Sequence, residues 1–156
     1  MPKNRALSTS LIHHPYTPPE GFESPAVGVF KASTVFFPSV AQMRSRQWVD
    51  KSSYTYGLHG TPTTFMLEQR LATLEGATHV TLVPSGLAAV TLPAMALLKS
   101  GDHMLLPSNA YGPNLAFAKH ELAAWGVMHG VYDPMQPSDL RDKLQSNTRL
   151  VWLEAP

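Results

Sequence analysis

From Thr61 onward the chain alternates between helix-like and strand-like stretches, and this alternation limits the possible folds more than any other feature. Thr61 can cap a helix that has Pro62 in its first position. Leu67, Leu71 and Leu74 then recur at i, i+4 and i+7 on one face, and Gly76 closes the helix. The pattern next predicts a strand over 78–83, a helix over 86–99 closed by Gly101, and a strand over 103–106. A turn over 107–113 leads into a helix over 114–125, closed by Gly126, and a strand over 127–132. Pro137 and Ser138 open a short helix reaching Gln145, and a last strand is predicted over 149–153. Strands separated by helices of this length imply an α/β fold, a mainly parallel sheet with helices on both faces. Ligands of such sheets bind beyond the carboxyl ends of the strands. The segments after Val83, Leu106, Tyr132 and Leu153 are therefore expected to line one site.

The connection Pro84-Ser85-Gly86-Leu87 carries the most chemistry. A strand that turns through Ser and Gly into a helix leaves the first amides of that helix without intrahelical partners. With the aligned peptide dipoles they make a seat for a phosphate. The same residues also suit a plain tight connection. No G-x-G-x-x-G follows a strand and no G-K-[ST] occurs, so neither a dinucleotide fingerprint nor a Walker loop is present. Val83 stands where a nucleophile elbow needs its first glycine.

Residues 1–60 have a different character. They hold Pro15, Pro18, Pro19, Pro25 and Pro38 beside Phe22, Phe30, Phe36, Phe37 and Trp48, and only the stretch 39–48 looks helical. So many large apolar groups are not left in water, so this arm is expected to lie across another surface, of its own domain or of a partner subunit. The whole chain of 156 residues is 44% hydrophobic and 15% charged, with a formal charge of +1. That balance gives no reason to expect nucleic acid or an anionic membrane as partner. The absence of cysteine excludes disulfides and thiolate metal sites, and fits a cytoplasmic setting. Neither a secretory leader nor a membrane span is read in the sequence.

Three further groups can be weighed. Tyr111, in Asn109-Ala110-Tyr111-Gly112-Pro113-Asn114, follows a predicted strand; its ring can cover the sheet edge or stack on a flat aromatic ligand. The histidines His13, His14, His59, His79, His103, His120 and His129 show no i, i+4 pair with an acidic third ligand, so no metal site is expected. Asp133 at a strand end is either a site residue or the shaper of the Asp133-Pro134 turn.

As an ordered set, these segments resemble the N-terminal part of the pyridoxal-phosphate (PLP) enzymes of cysteine and methionine metabolism. The set runs through Ser33-Thr34-Val35-Phe36, Tyr54-Thr55-Tyr56-Gly57-Leu58-His59-Gly60-Thr61-Pro62-Thr63 and Leu74-Glu75-Gly76. It continues in Ser85-Gly86-Leu87-Ala88-Ala89, Gly101-Asp102-His103, Ala110-Tyr111-Gly112-Pro113 and Leu153-Glu154-Ala155-Pro156. Gly60-Thr61-Pro62-Thr63 and Ala110-Tyr111-Gly112-Pro113 look like the cystathionine beta-lyase branch rather than the gamma-synthase and gamma-lyase branches.

The resemblance implies a fold-type-I large domain. It also implies PLP as cofactor, cystathionine as substrate, a carbon–sulfur lyase reaction, and a homo-oligomer built as a dimer of dimers. The amides at Gly86 and Leu87, next to Ser85, would bind the cofactor phosphate. The ring of Tyr111 would stack on the pyridine, and Tyr56 would reach the phosphate of the neighbouring subunit. Residues 1–60 would then be the arm contacting that subunit, and 61–156 the first part of the PLP-binding domain. The alternatives are gamma chemistry within the same family or a non-catalytic interaction module.

There are two departures from the family pattern. Leu58 stands where an Arg phosphate clamp is common, so either His59 takes over the contact or the clamp is weaker. The family's pyridine-binding Asp, cofactor-bearing Lys and carboxylate-gripping Arg would all lie beyond Pro156. The chain is thus expected to hold part of such an enzyme, with no catalytic residue of its own.

Overall fold

The computed structural model describes residues 6–13, 20–21, 24, 26–48, 51 and 53–155. His14, Pro15, Pro18, Pro19, Phe22, Pro25 and Pro156, all named above, lie outside the described residues. One compact unit ends at Leu82 and a second begins at Val83.

In the first unit, Ser39 caps a short helix (α2, Val40–Arg44) by accepting the Gln42 amide at 3.2 Å. A six-residue helix (α1, Leu7–Ile12) precedes it. The long helix α3 (Pro62–Glu75) begins where its capping residues place it. Thr61 accepts from the Thr64 amide at 3.4 Å and Thr64 Oγ1 accepts from the Thr61 amide at 2.7 Å, a reciprocal box that satisfies two orphan donors. Gly76 ends the helix in the left-handed region at φ 63°, where a side chain would be strained.

The buried face of α3 differs from the one its leucines predict. Phe65 and Glu68 are buried, whereas Leu67 and Leu74 are 48% and 43% exposed. Two residues turn a helix by about 200°, so seating Phe65 inward carries Leu67 outward. What seats Phe65 is aromatic: Tyr54 stacks on it at 5.5 Å and His59 meets it edge-on at 6.0 Å. Thr63 Oγ1 also ties the start of α3 to the arm, donating to Gly28 O at 2.9 Å and accepting from the Phe30 amide at 2.8 Å.

The strand predicted over 78–83 is absent; these residues run without a ladder. Their backbone groups are met instead by side chains of the same unit. Lys51 Nζ donates to Val80 O at 3.1 Å, and Glu68 Oε1 accepts the Leu82 amide at 3.0 Å. A β-favouring composition becomes a strand only when a neighbour runs alongside, and none of the described residues does so here.

The second unit carries a three-stranded parallel sheet in the order β2-β1-β3, with β1 spanning His103–Pro107, β2 Met128–Tyr132 and β3 Thr148–Val151. Helix α4 (Gly86–Leu97) precedes β1, and α5 (Gly112–Phe117) widens into a π turn over Ala118–Leu122 before β2. Helix α6 (Pro137–Lys143) precedes β3. As the middle strand, β1 is buried throughout. Met104 and Leu106, two apart and so on one face, pack with Ala94 of α4, Ala118 and Leu122 of the π turn, and Val127. The connections put α4 and α5 at the sheet with their N-termini presented, which is what positions the site.

Candidate functional site

Ser85 has extended backbone (φ −160°, ψ 162°) and caps α4 by accepting the Ala88 amide at 3.0 Å. A hydroxyl that accepts this bond still has its proton to donate. The amides of Gly86 and Leu87, the first two of the helix, take no protein acceptor among the described residues. A side chain added at Gly86 would meet no atom within 4 Å. Ser85, Gly86 and Leu87 are all exposed. An anion arriving at the start of α4 would thus find two amides, a hydroxyl proton and an unobstructed approach.

Tyr111 lies at the cap of α5 and is half exposed. A hollow of about 410 Å³ lies between the starts of α4 and α5, lined by Leu87 and Thr91 on one side and Gly112, Pro113 and Phe117 on the other. The structure therefore brings the turn that carries Tyr111 to the same hollow as Leu87.

The carboxyl ends of the strands are bound together beside it. The Ser108 amide donates to Tyr132 O at 2.8 Å, the Trp152 amide to Leu105 O at 2.8 Å, and the Tyr132 hydroxyl to Trp152 O at 2.8 Å. Burial raises the pKa of that hydroxyl above its ordinary value, which keeps it a donor. Asp133 serves its turn, accepting the Met135 amide at 2.9 Å through Oδ1. Its own amide donates to Asp139, whose pKa is lowered by the Lys143 hydrogen bond first and by this amide second.

Glu154 stands in the quoted segment Leu153-Glu154-Ala155-Pro156, but sequence reasoning gave it no role. Both of its carboxylate oxygens lie 3.1 Å from the Tyr111 amide, and Oε2 also accepts from Trp152 Nε1 at 3.1 Å. The signals available in the sequence were that segment and its place just beyond the last strand.

Tyr56 belongs to the first unit, and Ser85, Gly86, Leu87 and Tyr111 belong to the second. Its hydroxyl accepts from Ser33 Oγ at 3.4 Å, and its carbonyl accepts the His59 and Gly60 amides at 3.0 and 3.2 Å. Leu58, at the tip of this turn, is 82% exposed. The His59 ring is set edge-on to Trp48 at 5.7 Å as well as to Phe65, and its Nε2 is buried without a partner among the described residues. The imidazole is committed to that aromatic cluster rather than presented at the turn's surface.

Known proteins decide what this arrangement belongs to. The profile of the Cys/Met metabolism PLP-dependent enzymes matches residues 8–156. The chain belongs to that family. It is 36% identical over 127 residues to the cystathionine beta-lyase MetC of Escherichia coli, covering 81% of this chain and 32% of that protein. To the L-methionine gamma-lyase of Treponema denticola it is 33% identical over 131 residues, covering 84% and 33%. The chain thus spans about a third of the length of these relatives. Among solved structures, the metY protein of Campylobacter jejuni superposes with a TM-score of 0.85 at 25% identity, over 95% of this chain and 36% of that one. That structure contains an N'-pyridoxyl-lysine-5'-monophosphate. The family's cofactor is pyridoxal phosphate, and the open amides of α4 and the half-exposed Tyr111 at the cap of α5 suit its phosphate and its flat ring.

Proposed function

We propose that the complete protein is a PLP-dependent carbon–sulfur lyase that cleaves cystathionine to homocysteine, pyruvate and ammonia. The observation that carries this reading is the start of α4, where Gly86 and Leu87 keep two amides open beside a capped Ser85, in a chain of this family. In the proposed site these amides and the Ser85 hydroxyl hold the cofactor phosphate. The ring of Tyr111 lies against the pyridine, and Tyr56 reaches the phosphate of a neighbouring copy. Bound there, the cofactor supplies an electron sink for bond cleavage next to the amino-acid α-carbon. The protein's share is orientation and exclusion of water, which keep the reacting bond aligned.

The residues proposed here hold and orient the cofactor, and none of them is proposed as the base. Assembly as a dimer of dimers and a cytoplasmic location form part of the same reading. Among the described residues no helix is long and apolar enough to cross a membrane. The choice of beta over gamma chemistry rests on Gly60-Thr61-Pro62-Thr63 and Ala110-Tyr111-Gly112-Pro113, and the named relatives include both kinds of lyase.

The test is the keto acid formed when the complete protein is given cystathionine with pyridoxal phosphate. Pyruvate with free homocysteine is the expected product pair. 2-Oxobutyrate with free cysteine would place the enzyme on the gamma side.

A further inference from the structure

The two helix starts that flank the 410 Å³ hollow are treated differently by the protein, and Glu154 makes the difference. At α4 the first amides are open. At α5 the amide of the capping residue Tyr111 is already held by a carboxylate, with both Glu154 oxygens at 3.1 Å. A carboxylate fixed there makes that helix start unfavourable for a second anion, whereas the Gly86 and Leu87 amides have no such acceptor among the described residues.

The carboxylate is itself held. Trp152 Nε1 donates to Oε2 at 3.1 Å, and the Trp152 backbone is hydrogen-bonded to Leu105 in the middle strand at 2.8 Å. A continuous path of hydrogen bonds therefore runs from the buried strand β1 through Trp152 and Glu154 to the backbone of Tyr111. On the other side, the Tyr111 carbonyl accepts the Asn114 amide at 2.8 Å. The backbone of Tyr111 is gripped from both sides while the residue as a whole is 50% exposed. For a residue with so little packing of its own, the direction of its Cα–Cβ bond is fixed mainly through the backbone.

We infer that Glu154 is a positioning residue for Tyr111: by holding the Tyr111 amide, it sets the angle at which that ring meets a flat ligand. This inference rests on the proposed stacking of Tyr111 on pyridoxal phosphate. The hydrogen bond that Glu154 makes to Tyr111 is to its amide, forty-three residues away in the chain.

A double-mutant cycle on the complete protein tests it, read by pyridoxal phosphate affinity and by visible-region dichroism per bound cofactor. Dichroism reports how the cofactor is held and not merely whether it binds. Glu154→Ala in the wild-type background is expected to lose more than half of the dichroism and to weaken binding by about tenfold. In the Tyr111→Ala background the same substitution is expected to change affinity by less than about twofold, since the ring it orients is gone. Glu154→Gln keeps one acceptor oxygen, and serves for the same cycle with a loss of about threefold should Glu154→Ala fail to fold. Equal losses in the two backgrounds would show that Glu154 is only a structural cap and would overturn the inference alone. Wild-type affinity and dichroism in Tyr111→Ala itself would instead remove the stacking reading, and with it the role given to Glu154.

Discussion

The side chain that Gly57 lacks would place its Cβ 1.8 Å from the carbonyl oxygen of Ala32. This closeness holds the Tyr56 turn against the arm, with the Gly57 amide donating to Ser33 O at 2.7 Å. The obstacle is backbone and cannot rotate away. Gly57→Ala is therefore expected to destabilise the protein by about 1–3 kcal/mol, the usual cost of overpacking. Thermal unfolding measures it, and a midpoint unchanged from wild type would show that the turn and arm do not pack as described.

Glu68 joins three segments of the first unit. Its carboxylate pairs with Lys51 and accepts the Leu82 amide, while Lys51 also reaches Val80 O. Glu68→Ala leaves the Leu82 amide without its acceptor and the Lys51 ammonium without its counter-charge at once. The Lys51 side chain is 32% exposed, which screens its share and lowers the cost of an unpaired charge. A loss of about 1–3 kcal/mol is expected, the range for an unsatisfied buried group. Amide hydrogen exchange locates it: Leu82 should lose protection in Glu68→Ala but keep most of it in Glu68→Gln, which retains an acceptor oxygen.

His103 gives the second unit a pH dependence. The ring is buried at the start of β1, its Nδ1 lies 2.8 Å from Thr148 Oγ1 of β3, and only Gly130, lacking a side chain, leaves room for it over β2. Burial, and secondarily the nearby His129, lower its pKa from the ordinary value of 6.5. The folded state then binds fewer protons than the unfolded chain, so this contribution is whole above about pH 6.5 and is lost as the pH falls below it. Denaturant unfolding at pH 7.5 and 5.5 is expected to show lower stability at the lower pH. His103→Gln should flatten that difference, and a difference of the same size in the variant would assign it to other groups.

What the sequence made legible is what neighbours along the chain decide. Thr61, Pro62 and Gly76 bound α3, and Ser85 caps α4, because capping is settled within four residues. The strands at 103, 128 and 148 carry enough apolar residues and flanking turns to be read one by one. The stretch 78–83 looks the same locally, but a strand is a property of two segments, and its pairing is invisible in its own residues. The face of α3 was misjudged for a related reason: Leu67, Leu71 and Leu74 make the regular stripe, yet Tyr54 and His59 bring Phe65 inside. Glu154 stood in a quoted family segment without a role, because its amide partner is forty-three residues distant. Family motifs could propose Ser85, Gly86, Leu87 and Tyr111 for the site, but not the contact between this carboxylate and Tyr111.

The central claim is that the first amides of α4 hold the cofactor phosphate, and Gly86→Pro tests it most directly. Proline at the first helical position costs the helix no hydrogen bond. Ser85 already has the extended backbone that a residue before proline needs, and no atom lies within 4 Å of a Cβ at position 86. The substitution thus removes one amide donor and puts the ring Cδ where its hydrogen pointed. Titration of the cofactor-free complete protein is expected to show pyridoxal phosphate bound about tenfold to a hundredfold more weakly, the value of one hydrogen bond to a charged group. Pyridoxal without the phosphate should bind as in wild type, and Gly86→Ala should stay within about twofold of it, because the amide is kept. Undiminished affinity of Gly86→Pro for pyridoxal phosphate, in a protein with an unchanged thermal midpoint, would contradict the assignment of the phosphate to the start of α4.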